Sequence, residues 1–182
     1  SGGTITAVCT ADNCSEVEEK TIVISVNGKV YDGTAVAATI TNTIDSNDYS
    51  SQIVYNAEAG SALTDGQPVN AGTYIASLTF EGETASISFT IEKKVIESVV
   101  FAVDAPVLDA LPDNDAGNSI GYVSSISWNA NGISLGENEA FGPNKAYTAT
   151  VALTVDSIYR LADNLAVEGW TKDITDDHVT FT

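Results

Sequence analysis

Residues 68–80, which read Pro-Val-Asn-Ala-Gly-Thr-Tyr-Ile-Ala-Ser-Leu-Thr-Phe, constrain the fold more than any other stretch of the chain. After a turn-like Asn-Ala-Gly, strict alternation places one side-chain set on a single face: Tyr74, Ala76, Leu78 and Phe80. Alternation of this kind is typical of a half-buried strand with one apolar face. Residues 68–80 therefore predict a β-strand of a sandwich.

The same pattern returns 73 residues further along the chain. Residues 144–155 alternate in the same way, and their predicted inward set is Tyr147, Ala149, Val151, Leu153 and Val155. Tyr55 precedes Tyr74 by 19 residues. Trp128 precedes Tyr147 by the same 19, and Asn-Ala follows each of these two earlier aromatic residues. A strand, a loop and a strand thus recur in register, which indicates two copies of one unit.

The repeat offset predicts two small all-β domains in series. We expect a first β-sandwich over residues 21–94 and a second over residues 95–182, joined by the short linker Glu92-Lys93-Lys94 into a semi-rigid rod. Residues 1–20 are predicted to be an N-terminal segment, the tail of a preceding module. Ala, Thr, Ser, Val, Ile, Asn and Gly dominate the composition, which suits strands joined by polar turns.

The chain is acidic along its whole length. Its formal net charge is −18, from 25 acidic and 7 basic residues, and the acids divide into 12 in residues 1–94 and 13 in residues 95–182. Such a field repels phosphates and anionic lipids, so we expect no nucleic-acid partner. Because no run of 18 apolar residues exists, we expect no membrane insertion. The acids serve solubility or bind divalent cations, and we expect a monomer.

Two cysteines, Cys9 and Cys14, lie close together near the start of the chain. Four intervening residues allow a turn that closes a local disulfide, which an extracellular setting would permit. Free thiols are the alternative. A zinc site would need more ligands, and the only histidine, His178, is near the other end of the chain.

Catalytic residues are not distinguished by the sequence. His178, two residues after Asp176, is the only histidine available as a base, and a surface histidine at a strand end explains it equally simply. Carboxylate pairs occur throughout an acidic chain, and none stands out as a glycoside-cleaving pair. We therefore expect a protein that is not an enzyme.

Acidic loops provide the only candidates for a cofactor, a calcium ion. Asp113-Asn-Asp-Ala-Gly117 offers oxygen ligands at alternate positions, with Asp109 nearby, so Asp109, Asp113 and Asp115 are candidate ligands. The distant glutamate of an EF-hand is missing, and a loop rich in turn formers is the alternative. A second acidic cluster comprises Asp173, Asp176 and Asp177.

Aromatic side chains are candidates for sugar stacking, and two lysines are candidates for a covalent staple. Trp170, Tyr122 and Tyr159 could stack on a glycan if exposed, whereas core packing is the alternative use of these rings. Lys29 and Lys145 are predicted in turns rather than inside strands, so a lysine isopeptide bond is not expected.

The strand motif resembles an entry into strand F of immunoglobulin-like domains. On that resemblance, Tyr74 and Tyr147 are corner tyrosines that should be substantially buried. Ala76 and Ala149 occupy the place of the second disulfide cysteine, which implies that no inter-sheet disulfide forms. Trp128 takes the place of the strand C tryptophan, with Tyr55 as its smaller counterpart.

Residues 30–34, Val-Tyr-Asp-Gly-Thr, together with residues 68–74 are similar to bacterial Ig-like surface repeats of the Tyr-Asp-Gly-Thr and Ala-Gly-Thr-Tyr type, found in cell-surface proteins of gut Firmicutes. Trp128, Phe141 and residues 147–154 resemble a second type of surface repeat. The resemblance implies two tandem immunoglobulin-like β-sandwich domains on a Gram-positive cell surface. Their expected role is a non-catalytic extracellular spacer that presents a head domain, with other domains of the parent protein as partners. The alternative is an adhesin or carbohydrate-binding module that binds a host or dietary glycan or a protein.

Overall fold

The computed structural model describes residues 3–8, 19–175 and 178–181. The chain divides into two compact units, Ser1–Lys94 and Val95–Thr182. The described residues form fourteen strands and one short 3-10 helix, Ser50–Gln52, and none of them belongs to an α-helix. No helix among them is long and apolar enough to cross a membrane. This architecture confirms the all-β prediction.

Unit 1 contains two sheets. The smaller sheet has the order β1-β2-β4, and the larger has the order β3-β7-β6-β5. The pairs are antiparallel except for β3, which runs parallel to β7. The strands are β1 (Thr4–Ala7), β2 (Lys20–Ser25), β3 (Lys29–Val30), β4 (Thr39–Asn42), β5 (Val54–Ala57), β6 (Gly72–Phe80) and β7 (Glu83–Glu92).

The hairpin between β6 and β7 has its origin in the local sequence. Glu81 and Gly82 form the two-residue connection, with φ angles of 50° and 90°. Two successive positive φ angles match the right-handed twist of the flanking strands, and glycine adopts this conformation without strain. The strands therefore pair along their whole length, from Phe80 opposite Glu83 to Gly72 opposite Ile91.

The core of unit 1 is built from the alternating apolar faces of both sheets. Ile22 and Ile24 of β2 are 0% and 2% exposed, and Tyr74, Ala76 and Leu78 of β6 are at most 1% exposed. These side chains belong to a single buried cluster. Because the two sheets share that cluster, the arrangement is consistent with a β-sandwich.

The first strand belongs to unit 1, although residues 1–20 were expected to be separate from the first domain. Ile5 in β1 pairs with Ile22 in β2 and is only 6% exposed. The backbone N–H of Ile24 also donates to the carbonyl of Gly3 at 2.6 Å. The apolar side chain of Ile5 gains burial on this sheet, which explains the position of β1.

Unit 2 contains a five-stranded sheet of order β10-β9-β11-β14-β13 and a two-stranded sheet of β12 and β8. Val151 and Leu153 of β11 are fully buried, and they pack with Tyr122, Ile96 and Leu165 in one core. The strands are β8 (Lys94–Ile96), β9 (Tyr122–Ala130), β10 (Ile133–Ser134), β11 (Tyr147–Val155), β12 (Tyr159–Leu161), β13 (Lys172–Thr175) and β14 (His178–Phe181).

The strand register reproduces the repeat seen in the sequence. In unit 1, Tyr55 lies opposite Ala76, and Ala57 lies opposite Tyr74. The residues 73 positions later pair in the same way in unit 2, with Trp128 opposite Ala149 and Ala130 opposite Tyr147. The two units differ after this strand pair: β6 turns directly into its neighbour β7, whereas the second neighbour of β11 is the last strand, β14.

Candidate functional site

Tyr74 closes the loop that precedes its own strand. Its side chain is fully buried, and its hydroxyl donates to the carbonyl of Asn70 at 2.8 Å, with the carbonyl of Ala62 at 3.2 Å. Burial raises the pKa of this hydroxyl, which keeps it protonated as a donor. The ring stacks on Phe89 with centroids 5.8 Å apart. Tyr74 thus joins the loop, β6 and the core.

We expect Tyr74→Phe to lower the free energy of unfolding by about 1–3 kcal/mol, because the carbonyls of Asn70 and Ala62 lose a buried donor while the ring stays. Urea denaturation followed by circular dichroism measures the change. Ser88→Ala, on the paired strand β7, is the matched control, since it removes an exposed hydroxyl and should change the free energy by less than about 0.5 kcal/mol. Equal effects of the two substitutions would contradict the structural role of the Tyr74 hydroxyl.

Tyr147 makes a related but more exposed contact in unit 2. The sequence predicts substantial burial of both tyrosines. Tyr74 is fully buried, whereas the side chain of Tyr147 is only half-buried. The Tyr147 hydroxyl accepts a hydrogen bond from the backbone N–H of Gly142 at 2.6 Å. It therefore anchors the loop before β11.

Trp128 links β9 to a long loop of unit 2. It is 5% exposed, its ring meets Phe141 edge to face at 5.2 Å, and Phe141 meets Tyr147 at 4.8 Å. The indole N–H donates to the carbonyl of Asp113 at 2.8 Å. In unit 1, the matching Tyr55 accepts a hydrogen bond from the backbone N–H of Ala38 at 2.7 Å. Both positions join a strand to a remote segment.

The loop that Trp128 holds is the best-defined candidate binding surface, and we call residues 104–113 the apolar loop. Leu108 and Asp109 form its turn, where the N–H of Ala110 donates to the carbonyl of Val107 at 3.0 Å and Asp109 has a φ of 63°. Two backbone hydrogen bonds of 2.9 Å attach the turn to Phe141, from Asp109 N–H to Phe141 O and from Phe141 N–H to Ala110 O. The loop is therefore fixed before any partner binds.

Large apolar side chains of this loop face solvent. Val107, Leu108 and Leu111 are 62%, 57% and 57% exposed. Beside them lies an open depression of about 260 Å³, lined by Asp104, Ala105, Val107, Ala110, Leu111, Pro112, Asp113 and Phe141. An apolar patch with a polar rim is typical of an interaction surface. Its side chains suit non-covalent binding.

Sequence reasoning missed the apolar loop as a site, although a signal for it was present. The run Val107, Leu108, Ala110 and Leu111 lies between two prolines, Pro106 and Pro112, and does not alternate as a strand would. Apolar residues outside a regular periodic pattern have no predicted sheet to cover them. Such a run could have been flagged as an exposed surface.

The proposed calcium ligands mostly stabilise turns. Asp113 Oδ1 accepts the backbone N–H of Asp115 at 3.0 Å, and Asp115 Oδ1 accepts that of Gly117 at 2.8 Å. These are the side-chain-to-backbone bonds of turns, which was the alternative interpretation of the segment. Within residues 3–8, 19–175 and 178–181, no group of three or more His, Cys, Asp or Glu side chains is placed to hold a metal ion.

The three aromatic candidates for sugar stacking all contact the core of unit 2. Tyr122 is only 5% exposed, so its ring is not available as a stacking platform, contrary to that interpretation. Trp170 is half-buried and meets Phe101 edge to face at 5.2 Å. Tyr159 is half-buried and packs so closely on Gly121 that a Cβ there would lie 2.8 Å from the ring. Core packing, the alternative use, accounts for these rings.

Charged groups in unit 1 stabilise local loops. The Lys29 ammonium lies 2.6 Å from Asp32 Oδ1, which also accepts the N–H of Thr34 at 2.9 Å. The ammonium, followed by the Thr34 donors, holds the pKa of Asp32 well below its usual range. Lys29 begins β3 rather than lying in a turn, and its neighbours place it in an exposed ion pair.

A second carboxylate, Asp45, organises the loop after β4. The Tyr49 hydroxyl donates to it at 2.6 Å, the N–H of Asn47 at 3.1 Å and the Asn42 amide at 2.6 Å. These donors, chiefly Tyr49, hold the pKa of Asp45 well below its usual range. The carboxylate therefore remains ionised as a loop anchor.

Some predicted residues cannot be placed in a site. Cys9, Cys14, Asp176 and Asp177 lie outside the described residues. His178 begins β14, which pairs with β11 and β13. Lys145 directly follows a turn in which Asn144 has a φ of 56°, and it lies outside the strands.

Comparison with known proteins yields no relative. No protein-family model, curated protein or solved structure matches the chain. Its function is therefore inferred from its residues and their geometry.

Proposed function

We propose that the chain provides two tandem immunoglobulin-like β-sandwich modules that act as a non-catalytic spacer in a larger extracellular protein of a Gram-positive surface. The observation that carries the proposal is the repeated strand register, Tyr55 opposite Ala76 and Trp128 opposite Ala149. Serial copies of one unit suit a protein that sets distance, because each copy adds length without a new site. Other domains of the parent protein, including a head domain, are the proposed partners.

Two contacts support the immunoglobulin-like assignment. The Tyr74 hydroxyl donates to the backbone carbonyls of Asn70 and Ala62, which lie upstream in the chain, as the hydroxyl of a tyrosine corner does. Trp128 is buried on the strand that pairs with β11, as a strand C tryptophan is in this class of domain. Alanine at positions 76 and 149 leaves apolar burial rather than an inter-sheet disulfide to stabilise each core.

Single-molecule stretching of the chain between two reference domains tests the spacer role. We expect two discrete unfolding events, each lengthening the chain by roughly 300 Å, since about 90 extended residues span that distance. A chain that extends smoothly at low force, without discrete events, would overturn a spacer built from folded modules.

A ligand-binding adhesin is the second candidate function, and the exposed Val107, Leu108 and Leu111 favour a protein ligand over a sugar. A glycan array tests the carbohydrate-binding form of this alternative. We expect no saturable glycan binding, because Trp170 packs on Phe101 and Tyr122 is buried. Saturable binding that Trp170→Ala abolishes would overturn the spacer-only function and support a carbohydrate-binding module.

A further inference from the structure

We propose that the apolar loop of unit 2 is a docking surface for a cationic protein segment that inserts an apolar side chain beside Phe141. The occupant is a chain segment in which basic residues flank leucine-like ones. This inference goes beyond a spacer role, because it assigns a specific interaction to one face of one unit.

The surface is preorganised for binding. The two hydrogen bonds between the turn and Phe141 fix its tip, and the indole of Trp128 fixes Asp113 at its end. Ala116 beyond the loop is fully buried, and its carbonyl accepts the N–H of Ala102 at 3.2 Å. A partner therefore meets Val107, Leu108 and Leu111 without first ordering their backbone, which lowers the entropic cost of association.

Charge selects the class of partner. Asp104 and Asp113 line the depression beside Val107 and Leu111, and Asp109 follows Leu108 in the turn. Residues 104–118 contain no Lys or Arg. The side chains of Asp104 and Asp109 are exposed. Residues 95–182 carry 13 acidic residues against three basic ones, Lys145, Arg160 and Lys172. A cationic partner is attracted by this field and gains complementary rim contacts.

The same charge disfavours two other occupants, a second copy and an anionic lipid surface, and the burial of aromatic rings disfavours a glycan. A second copy of the chain would bring together two molecules of net charge −18. An anionic lipid surface would be repelled for the same reason. A glycan would lack a stacking platform, since Phe141 is 3% exposed and Trp128 is 5% exposed.

The test uses a synthetic peptide of alternating lysine and leucine, with a glutamate–leucine peptide and a lysine–serine peptide as comparisons. Backbone amide shifts of the isotope-labelled full chain locate binding, and calorimetry gives the affinity. We expect shifts confined to residues 104–113 and their neighbours Phe141 and Gly142. We also expect both comparison peptides to bind at least about tenfold more weakly, because the glutamate–leucine peptide lacks positive charge and the lysine–serine peptide lacks apolar side chains.

Paired variants separate the docking surface from general charge attraction. Leu108→Ser with Leu111→Ser should weaken binding about tenfold, while Ile120→Ser with Ile133→Ser, at positions 81% and 74% exposed, should not. Asp104→Asn with Asp109→Asn should weaken binding several-fold and reduce its salt dependence. Glu97→Gln with Glu168→Gln, which neutralises two exposed acids elsewhere in unit 2, should not. All four pairs change exposed side chains, so amide spectra should show a retained fold.

Several outcomes would overturn the proposal. One is equal loss of affinity in the test and control pairs, or shifts spread over the acidic surface, since either means nonspecific attraction. Another is sedimentation that shows self-association abolished by the Leu108 and Leu111 substitutions, which would make a second copy the occupant. Neutral vesicles that displace the peptide from the loop would make the occupant a lipid surface.

Discussion

Replacing Trp128 with alanine should lower the free energy of unfolding of unit 2 by about 3–5 kcal/mol, the range for removing a large buried aromatic ring. Trp128 is 5% exposed and packs on Phe141, so its loss leaves a cavity where β9 meets the apolar loop. The carbonyl of Asp113 also loses its indole donor. Such a change is a large fraction of the stability of a small domain.

Trp170 makes this effect measurable, because it is the other of the two tryptophans and lies in the same unit. Denaturant unfolding followed by tryptophan fluorescence therefore reports on unit 2 in the variant. Trp128→Phe keeps an aromatic ring and should cost less, about 1–3 kcal/mol, chiefly for the lost hydrogen bond. Ile133→Ala, at a side chain 74% exposed, is the control. A loss from Trp128→Ala no larger than from this control would contradict the position of Trp128 in the core.

Leu78→Ala should lower the free energy of unfolding of unit 1 by about 2–5 kcal/mol. Leu78 is 1% exposed on β6, and it belongs to the cluster that includes Ile22 and Ile24 from the other sheet. Truncation removes apolar contacts between the two sheets and leaves a cavity that a close-packed core fills only in part.

Amide hydrogen exchange in β6 and β7 measures the loss site by site. The slowest amides of these strands exchange by global opening, so their exchange free energy should fall by the full amount. Val54→Ala, on the neighbouring β5 at a side chain 57% exposed, should leave protection nearly unchanged. Unchanged protection of β6 in Leu78→Ala would mean that the two sheets do not share a core.

Local alternation was enough to predict several strands and their inward faces. In β6, three members of the predicted inward set, Tyr74, Ala76 and Leu78, are buried, and the fourth, Phe80, is half-buried. The offset of 73 residues also anticipated the matching register of β5 with β6 and of β9 with β11. The same rule, extended back from Trp128 along β9, places Tyr122 on the inner face, so its burial was readable from the alternation.

The candidate binding surface was less accessible to sequence reasoning. Nothing in the local pattern says that the backbone of Phe141 forms two hydrogen bonds, with Asp109 and Ala110 of a distant turn. That contact joins residues far apart in sequence, and it holds the apolar side chains of the loop toward solvent. The apolar run between Pro106 and Pro112 is a sequence signal for exposure of Val107 and Leu111, but only the tertiary structure places their loop against Phe141.

The stretch of residues 68–80 and its counterpart determined by themselves that this is an all-β chain with a repeated strand pair, because a period of two fixes which side chains share a face. Only the tertiary structure decided the pairing of remote strands: β1 joins β2, and β11 takes β14 as its second neighbour. The physical reason is that a strand leaves its edge groups open to any partner. The choice among partners depends on which apolar faces can be buried together, and that depends on the whole chain.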